Sequence, residues 1–260
     1  MAMANMSNTM EEVVAYVTDG IEKQDPTVIG ILVGILVVFV SVVLMIIFGR
    51  SSNKRSGVLV LGICDAGKTL LFNRLVNGNY KRTYTSMSTN SNYFNIPNKN
   101  KRLRMLDLPG YERIRGPNLD ENKSLARGII YVVDSMTIQK EIKEVAGYLY
   151  TILSDGTISH NRPPVLIACN KQDLTLAKGS KVIRAQLEKE MNTLRVTRGA
   201  ALQGQDNTSN NNSYLGKRNK DFEFSDLSPI NVEFVECSCG KDDTSTVNLD
   251  EVKNWLETIA

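Results

Sequence analysis

The sequence is poor in the side chains that most often bind metals or cross-link a chain. Its 260 residues contain one histidine, His160, and four cysteines, Cys64, Cys169, Cys237 and Cys239. A single residue separates Cys237 from Cys239, which is the wrong spacing for a zinc knuckle, and one histidine cannot complete such a site. We therefore expect four reduced thiols in a domain that faces the cytosol. His160 lies in the polar segment "SHNRPP" and is expected to be an ordinary surface residue.

A surplus of charge of either sign is also missing. The chain has 31 basic and 28 acidic residues, for a formal net charge of +3. This balance argues against direct binding to nucleic acid. The length suits one globular domain with additional segments, or at most two small domains.

One stretch has no charge at all. Residues 28–48, "VIGILVGILVVFVSVVLMIIF", contain no charged side chain, and seventeen of them are Val, Ile, Leu or Phe. As a helix they would extend roughly 32 Å, which is about the thickness of the hydrocarbon core of a bilayer. The stretch has no polar face, so it predicts a transmembrane helix rather than a buried core helix.

The charges beside this stretch predict its orientation. Residues 1–27 contain five acidic residues and one lysine, whereas the linker at residues 49–56 contains Arg50, Lys54 and Arg55. The positive-inside rule then places residues 1–27 on the lumenal side and residues 57–260 in the cytosol. The acidic start and the lack of a small-residue cleavage site argue against a cleaved signal peptide.

From Gly57 onward, apolar runs alternate with segments of helical spacing. Strands are predicted at 58–62, 93–96, 103–106, 128–134, 164–170 and 231–237. Helices are predicted at 68–76, 112–126 (broken near Gly116-Pro117), 138–153, 176–194 and 249–259. This order predicts an α/β fold, a mostly parallel sheet with one antiparallel hairpin edge and helices on both faces. Trp255 lies on the apolar face of the last helix and is expected in the core.

Residues 199–229 interrupt the alternation. The segment "LQGQDNTSNNNSYLGKRNK" is almost without apolar residues, so we expect a disordered insert over about 199–220. Phe222 and Phe224 are expected to form an apolar contact with the domain where the chain returns to it.

The segment "GICDAGKT" has the spacing of a phosphate-binding loop, between a predicted strand and a predicted helix. Such a loop turns backbone N–H groups toward phosphate oxygens, and the N-terminus of the following helix adds its dipole. Lys68 would reach the β- and γ-phosphates, and the Thr69 hydroxyl would bind Mg²⁺. The nucleotide-binding residues predicted here are Gly62, Ile63, Cys64, Asp65, Ala66, Gly67, Lys68, Thr69 and Leu70.

Two later motifs follow predicted strands. In "DLPG", Asp107 would hold Mg²⁺ through water, and the Gly110 N–H would bond the γ-phosphate. In "NKQD", the Asp173 carboxylate can accept two hydrogen bonds from guanine, which adenine cannot supply. Asn170 would fix the loop, and the stem of Lys171 would cover the base plane.

Ser238 and Cys239 follow the last predicted strand and are placed to offer a backbone N–H to the base oxygen. Together, these motifs predict GTP and Mg²⁺ as ligands.

These four elements in this order resemble the small Ras-like GTPases over residues 57–260. The loop "GICDAGKT" is most similar to the ADP-ribosylation-factor branch, whose members carry lipids rather than a membrane-spanning segment. That segment, together with "DLPGYERIR", "LRVTR", "FEFSDL" and "VEFVECS", is similar to the β subunits of the signal recognition particle receptor.

The resemblance implies a single-pass protein of the endoplasmic reticulum membrane with a P-loop GTPase domain in the cytosol. In the GTP state it would dock the N-terminal domain of the receptor α subunit, for co-translational protein targeting. The loop near residues 83–86 would form much of that interface. The implied partners are the α subunit as a heterodimer and the lipid bilayer, with the ribosome or translocon as further candidates and no direct nucleic acid.

The sequence departs from the Ras-like pattern at Tyr111, where a glutamine normally orients the attacking water. A tyrosine lacks the paired donor and acceptor of an amide, so slow intrinsic hydrolysis is expected. The switch segment "RTYTSMST" offers Thr83, Thr85 and Ser86 to the nucleotide. The spacing from Thr69 places Ser86 at the metal, but the adjacent Thr85 remains an alternative. Cys239-Gly240 replaces an alanine-lysine pair, which would remove a lysine contact.

Three interpretations of the site remain open. The first is a GTP-dependent binding module in which the γ-phosphate orders a partner-docking switch. The second is a cycling GTPase that times membrane trafficking or targeting by hydrolysis. The third is a membrane protein whose nucleotide is structural.

Overall fold

The computed structural model describes residues 18, 23, 26–49, 55–97, 101–202, 215–217, 220–240 and 246–260. Contacts within the chain divide it into two units, residues 1–53 and residues 54–260.

The described part of the first unit is mainly helix α1, Pro26–Gly49, which contains the predicted membrane segment at 28–48. The large apolar side chains that the structure describes on this helix are between 36% and 78% exposed. When only the described residues are searched, no helix meets the length and apolarity of a membrane span. Most of the predicted lumenal segment at 1–27, and residues 50–54 of the linker, lie outside the described residues.

The second unit is built on a six-stranded sheet. Its strands are β1 Gly57–Leu61, β2 Asn90–Asn95, β3 Arg102–Asp107, β4 Ala126–Asp134, β5 Val165–Asn170 and β6 Val232–Glu236. Their order in the sheet is β2-β3-β1-β4-β5-β6. All neighbouring strands are parallel except β2 and β3, which pair antiparallel. The mostly parallel sheet with a hairpin edge is confirmed, although the hairpin turn at 98–100 lies outside the described residues.

Most helices of this unit lie close to their predicted positions; the exceptions are the unpredicted helix at Gly156–Asn161 and the helix predicted at 176–194, which spans Ser180–Leu202. The helices are α2 Lys68–Asn77, α3 Glu112–Asn122, α4 Ile138–Ser154, α5 Gly156–Asn161, α6 Ser180–Leu202 and α7 Asp250–Thr258, with short 3₁₀ turns at Lys123–Leu125 and Phe224–Leu227. Helix α2 ends at Gly78, whose left-handed backbone returns an N–H to the Arg74 carbonyl.

The sheet separates two apolar cores because alternate residues of each strand point to opposite faces. In β1, Leu59 and Leu61 belong to one core, which α4 and α6 cover. Val58 and Val60 belong to the other core, which α2 and α7 cover. Trp255 of α7 is buried in this second core, as expected. Helices on both faces of the sheet are therefore confirmed.

Helix α3 differs from the prediction because it continues through Pro117 instead of breaking there. Side chains supply extra hydrogen bonds along this helix. Asn118 Nδ2 donates to the Ile114 carbonyl at 2.8 Å, and Asn122 Nδ2 donates to the Asn118 carbonyl at 2.8 Å. Both bonds join a side chain to the carbonyl four residues earlier, and the first of them spans Pro117.

The polar insert also differs from its predicted bounds. Helix α6 continues to Leu202, into the segment predicted as disordered, and Leu215 is buried in the first core. The buried guanidinium of Arg195 donates to the carbonyls of Lys217, at 2.8 Å, and Lys220. The composition of the insert did not predict these bonds of Arg195, because backbone carbonyls rather than side chains accept them. Residues 203–214 of the insert lie outside the described residues.

The structure also bears on the two phenylalanines, on His160 and on the four cysteines. Phe222 and Phe224 are buried in the first core, so their expected apolar contact with the domain is confirmed. His160 is exposed in the last turn of α5 rather than in an irregular polar turn. All four cysteines are free, which agrees with reduced thiols.

Replacement of Trp255 by alanine should remove one of the largest buried side chains of the second core. We expect Trp255→Ala to lower the free energy of unfolding by about 3–5 kcal/mol, measured by chemical denaturation of the full chain in detergent micelles. Leu176 is 69% exposed, so Leu176→Ala should change the same quantity by less than about 0.5 kcal/mol. Equal losses in the two variants would contradict this assignment of the core.

Candidate functional site

The predicted motifs meet at the carboxyl ends of the parallel strands. The phosphate loop follows β1, Asp107 ends β3 and Asn170 ends β5. Strand β1 lies between β3 and β4, so the later strands are added to the sheet on opposite sides of β1. Ligands of doubly wound sheets bind at such a reversal of strand order.

Backbone geometry explains why the phosphate loop needs its glycines. Gly62 has a φ of +141°, and a Cβ built there would lie 2.4 Å from the Val132 carbonyl oxygen. Gly67 has a φ of +92°, and its Cβ would lie 2.4 Å from Asn170 Nδ2. Asp65 also adopts a positive φ, of 58°, which aspartate tolerates better than most residues. The loop therefore packs tightly against β4 and the "NKQD" segment.

Lys68 lies under the loop and is only 7% exposed. Its Nζ donates to the Ile63 carbonyl at 2.7 Å. Burial lowers the pKa of this lysine below its usual value, and the nearby Asp107 carboxylate partly opposes that effect. A phosphate beside the ammonium would further favour its charged form.

Hydroxyl, amide and carboxylate groups converge beside the start of α2. Thr69 Oγ1 lies 3.0 Å from Ser86 Oγ and donates to Asp107 Oδ2 at 2.9 Å. Asn90 Nδ2 donates to the same carboxylate oxygen at 3.1 Å. Burial raises the pKa of Asp107 above its usual value, while the hydrogen bonds from Asn90 and Thr69 oppose this rise. Of the two hydroxyls left open by the sequence, Ser86 is the one that contacts Thr69.

The donor set fits a magnesium ion bound together with a nucleotide. Asp107 is fully buried, and its Oδ1 has no hydrogen-bond partner among the described residues. Within the described part of the chain, no group of three or more His, Cys, Asp or Glu residues could hold a metal. Mg²⁺ commonly uses few protein ligands and completes its shell with waters and substrate phosphates. Thr69, Ser86 and Asp107 therefore suit an ion completed by phosphate oxygens.

A cavity of about 340 Å³ opens above these groups. Its walls come from the phosphate loop, the switch segment and the "DLPG" motif. The lining residues are Cys64, Asp65, Gly67, Lys68, Thr69, Thr83, Tyr84, Thr85, Ser86 and Gly110. A Cβ at Gly110 would lie 2.5 Å from Lys68 Nζ, so a glycine is needed where this motif passes the lysine.

A second cavity, of about 420 Å³, lies on the other side of the loop. It is lined by Gly67, Leu70, Tyr80, Asn170, Lys171, Asp173, Leu174, Cys239 and Gly240. Gly67 lines both cavities, so a phosphate group and a base attached to it could occupy them together. The volume of the second cavity, about 420 Å³, lies within the range of pockets for small ligands.

Fixed side chains build the walls of this second cavity. Asn170 Nδ2 donates to the Ala66 carbonyl at 2.9 Å, which ties the "NKQD" segment to the phosphate loop. Asp173 Oδ1 accepts a hydrogen bond from Ser238 Oγ at 2.9 Å, which orients the carboxylate. The N–H of Ser238 donates to the Asn248 carbonyl at 3.0 Å. Ser238 therefore acts through its hydroxyl rather than through the backbone N–H that the sequence suggested.

Lys171 is held at the edge of the same cavity by an ion pair. Its Nζ lies 2.6 Å from Asp134 Oδ2. Burial would raise the pKa of Asp134, but the hydrogen bond from Lys171 and the N–H groups of Met136 and Thr137 outweigh it, so the pKa lies below its usual value. This pair fixes the stem of Lys171 against the cavity.

The chain matches known proteins over most of its length. The family described as "Signal recognition particle receptor beta subunit" matches residues 52–232. The chain is 45% identical to "Signal recognition particle receptor subunit beta" of Mus musculus over 244 residues, which is 92% of this chain and 90% of the relative. The chain belongs to the signal recognition particle receptor β-subunit family.

Solved structures support this β-subunit fold. The structure titled "The Structure of the Mammalian SRP Receptor" is 45% identical and has a TM-score of 0.69, covering 78% of this chain and all of that chain. The "SRb-GTP/SRX complex" of Chaetomium thermophilum is 21% identical, with a TM-score of 0.60 over 77% of this chain and 98% of that chain. The second similarity concerns the fold alone.

Tyr111 of this β-subunit chain directly follows the "DLPG" motif but lies at the surface of the domain. It is 42% exposed and precedes α3, with its carbonyl accepting the N–H groups of Ile114 and Arg115. Tyr111 is not among the described residues that line the phosphate cavity. A phenol at this position cannot hold a water as the amide of glutamine does.

Several residues of the β-subunit site were not predicted from the sequence. Tyr80 lines the second cavity under the guanidinium of Arg74, which lies 5.5 Å from its ring centroid. Arg74 Nε also donates to the Cys239 carbonyl at 3.1 Å. Asn90 is the other omission, although it lies only three residues before the strand predicted at 93–96. No motif names these positions, because each acts through a contact with a distant part of the chain.

The two glycines at the ends of α2 allow a matched test of the loop. Gly67 and Gly78 both have a left-handed backbone, but a Cβ at Gly78 would meet nothing within 4 Å. We expect Gly78→Ala to cost about 1–2 kcal/mol of stability and to leave nucleotide affinity unchanged. Gly67→Ala should also displace Asn170 and lower nucleotide affinity at least about tenfold in a fluorescent-nucleotide titration. Equal affinities in the two variants would show that the close approach to Asn170 is unimportant.

Proposed function

We propose that this chain is the membrane-anchored GTP-binding subunit of a signal recognition particle receptor, and that its GTP state docks the receptor α subunit. The observation that carries this proposal is the pair of cavities that meet at Gly67. One is lined by Lys68 and the metal-binding hydroxyls, and the other is lined by Asp173. This arrangement suits one guanine nucleotide with its phosphates at the start of α2 and its base beside the "NKQD" segment.

Recognition of guanine follows from the placement of Asp173. Its Oδ1 is already bonded to Ser238, which holds the carboxylate in one orientation. A fixed carboxylate accepts from the N1–H and the 2-amino group of guanine, and a base without those donors leaves it unpaired. Asn170 holds this segment against the phosphate loop, so recognition of the base and of the phosphates depends on one rigid unit.

The phosphate end would be held mainly by backbone N–H groups and by Lys68. Thr69 and Ser86 would bind Mg²⁺ directly, and Asp107 would bind it through water. When bound, Mg²⁺ supplies positive charge that neutralises the β- and γ-phosphates. Gly110 would direct its N–H at the γ-phosphate, which is consistent with its place in the wall of the cavity.

The switch segment provides the link to a partner. Ser86 contacts Thr69, and its neighbours Tyr84 and Met87 are 76% and 67% exposed. A γ-phosphate that fixes Ser86 would also fix these exposed side chains, creating an ordered apolar surface. The similar fold of the "SRb-GTP/SRX complex" supports docking in the GTP state. We infer that the α subunit is the corresponding partner of this chain.

We also infer that α1 anchors the protein in the endoplasmic reticulum membrane as a single span. The 24 residues of this helix contain no charged side chain. The apolar side chains that the structure describes on it are exposed rather than packed against other residues. Lipid would remove that surface from water at no polar cost. The basic residues that follow at 50–55 support a cytosolic GTPase domain.

Holding GTP fits this site better than rapid turnover. The exposed Tyr111 stands where a water-orienting glutamine is expected, outside the residues that line the phosphate cavity. Slow intrinsic hydrolysis would keep the docking surface ordered until another protein acts.

Partner affinity and hydrolysis can be measured on the same preparation. We expect the full chain in detergent micelles to bind the N-terminal domain of the α subunit at least about tenfold more tightly with a non-hydrolysable GTP analogue than with GDP, a difference of about 1.4 kcal/mol. Single-turnover hydrolysis without the partner should be slow. Equal affinities in the two nucleotide states would exclude the switch, and fast unassisted hydrolysis would favour a cycling GTPase.

Nucleotide specificity provides a separate test of the base site. Asp173→Asn should shift preference from guanine toward xanthine nucleotides, because the new amide can donate to the additional carbonyl of xanthine. Competition against a fluorescent guanine nucleotide measures this shift. Asp120 lies on α3 and pairs with Lys123, so Asp120→Asn provides a control that should keep the guanine preference. Unchanged GTP affinity in Asp173→Asn would refute the assignment of the base site.

A further inference from the structure

Asn90 is the residue where the switch segment becomes β2. It is the first residue of that strand and lies directly opposite Asp107 in the antiparallel pair with β3. Directly opposed residues of such a pair have Cβ atoms about 4.5–5.5 Å apart, so their side chains can bond on one face of the sheet. Asn90 Nδ2 donates to Asp107 Oδ2 at 3.1 Å.

The chemistry of this contact is fixed by the two groups. An ionised carboxylate only accepts hydrogen bonds, so the amide must present its nitrogen to Asp107. Thr69 Oγ1 donates to the same oxygen at 2.9 Å. Two donors therefore occupy Oδ2, and the other oxygen, Oδ1, is buried without a partner among the described residues. The carboxylate is held in one rotation with Oδ1 available to a water of the metal.

The two donors differ in what else they do. In the proposed site the Thr69 oxygen binds Mg²⁺ directly, whereas Asn90 contacts only the carboxylate. Asn90 also sits four residues after Ser86, on the rigid end of the switch segment. The preceding residue, Thr89, donates from Oγ1 to Asn118 Oδ1 of α3 at 3.0 Å. This bond fixes the backbone from which Asn90 reaches Asp107.

From this geometry we propose that Asn90 is a positioning residue for the magnesium site, which orients Asp107 toward the metal and couples β2 to it. This inference rests on the proposed binding of a magnesium-nucleotide complex. Outer groups that orient a metal-binding carboxylate contribute substantially to affinity, and their loss commonly weakens metal binding 10- to 100-fold. Asn90 is therefore expected to affect the magnesium requirement of the site rather than its affinity for the base.

The test measures how Mg²⁺ slows release of a fluorescent GDP from the full chain in detergent micelles. We expect Asn90→Ala to raise the Mg²⁺ concentration at half-maximal effect at least about tenfold. Release in excess chelator should stay within about twofold of the original chain, since no metal is then bound. Asn90→Leu fills a similar volume without a donor and should behave like Asn90→Ala.

Asn92 provides the matched control because it lies on the same face of β2, is exposed, and accepts only from the N–H of Tyr93 among the contacts described. Asn92→Ala should leave the Mg²⁺ midpoint unchanged. The proposal is overturned if either Asn90 variant keeps the original midpoint, or if release with chelator accelerates as much as release with Mg²⁺. Absence of any Mg²⁺ effect in the unsubstituted chain would instead refute the proposed binding of a magnesium-nucleotide complex.

Discussion

The hydrogen bond from Asn170 to the Ala66 carbonyl joins the two halves of the site. At 2.9 Å it links the end of β5 to the loop after β1, although these strands are not neighbours in the sheet. Gly67 permits the contact, because any side chain there would occupy the position of the Asn170 amide. The distance between the two cavities therefore depends on the Asn170 side chain and on the absence of a side chain at Gly67. The sheet positions both segments, and their contact limits the size of the ligand that could occupy the two cavities.

The site combines a rigid half with an adjustable half. Asp173 is bonded to Ser238 and Asn170 to the phosphate loop, so the segments that follow β5 and β6 are tied to the rest of the site. Ser86 belongs to the long connection before the edge strand β2. In the proposed site, the tied segments would recognise the base, and the less constrained switch segment would respond to the number of phosphates. Such a division suits a protein that reports its nucleotide state to a partner.

Motifs and apolar periodicity predicted most of the fold and the chemical groups of the site. The strands β1, β4 and β5 were recognisable because parallel strands buried on both faces require continuous apolar runs. Pairwise contacts between distant segments were not recognisable. The bond from Arg74 to Cys239, the bond from Asn90 to Asp107 and the bond from Arg195 to Lys217 each depend on how elements pack. The continuity of α3 was missed because a proline inside a helical segment usually interrupts it.

The contacts of Arg195 affect where the length of this chain can change. By bonding the carbonyls of Lys217 and Lys220, Arg195 fixes the returning chain beside the helix from which the insert departs. The returning chain is therefore held against α6 itself. Closing a longer loop between fixed ends costs only about 0.6 kcal/mol for each doubling of its length. Changes in chain length between α6 and Leu215 should therefore cost the domain little stability.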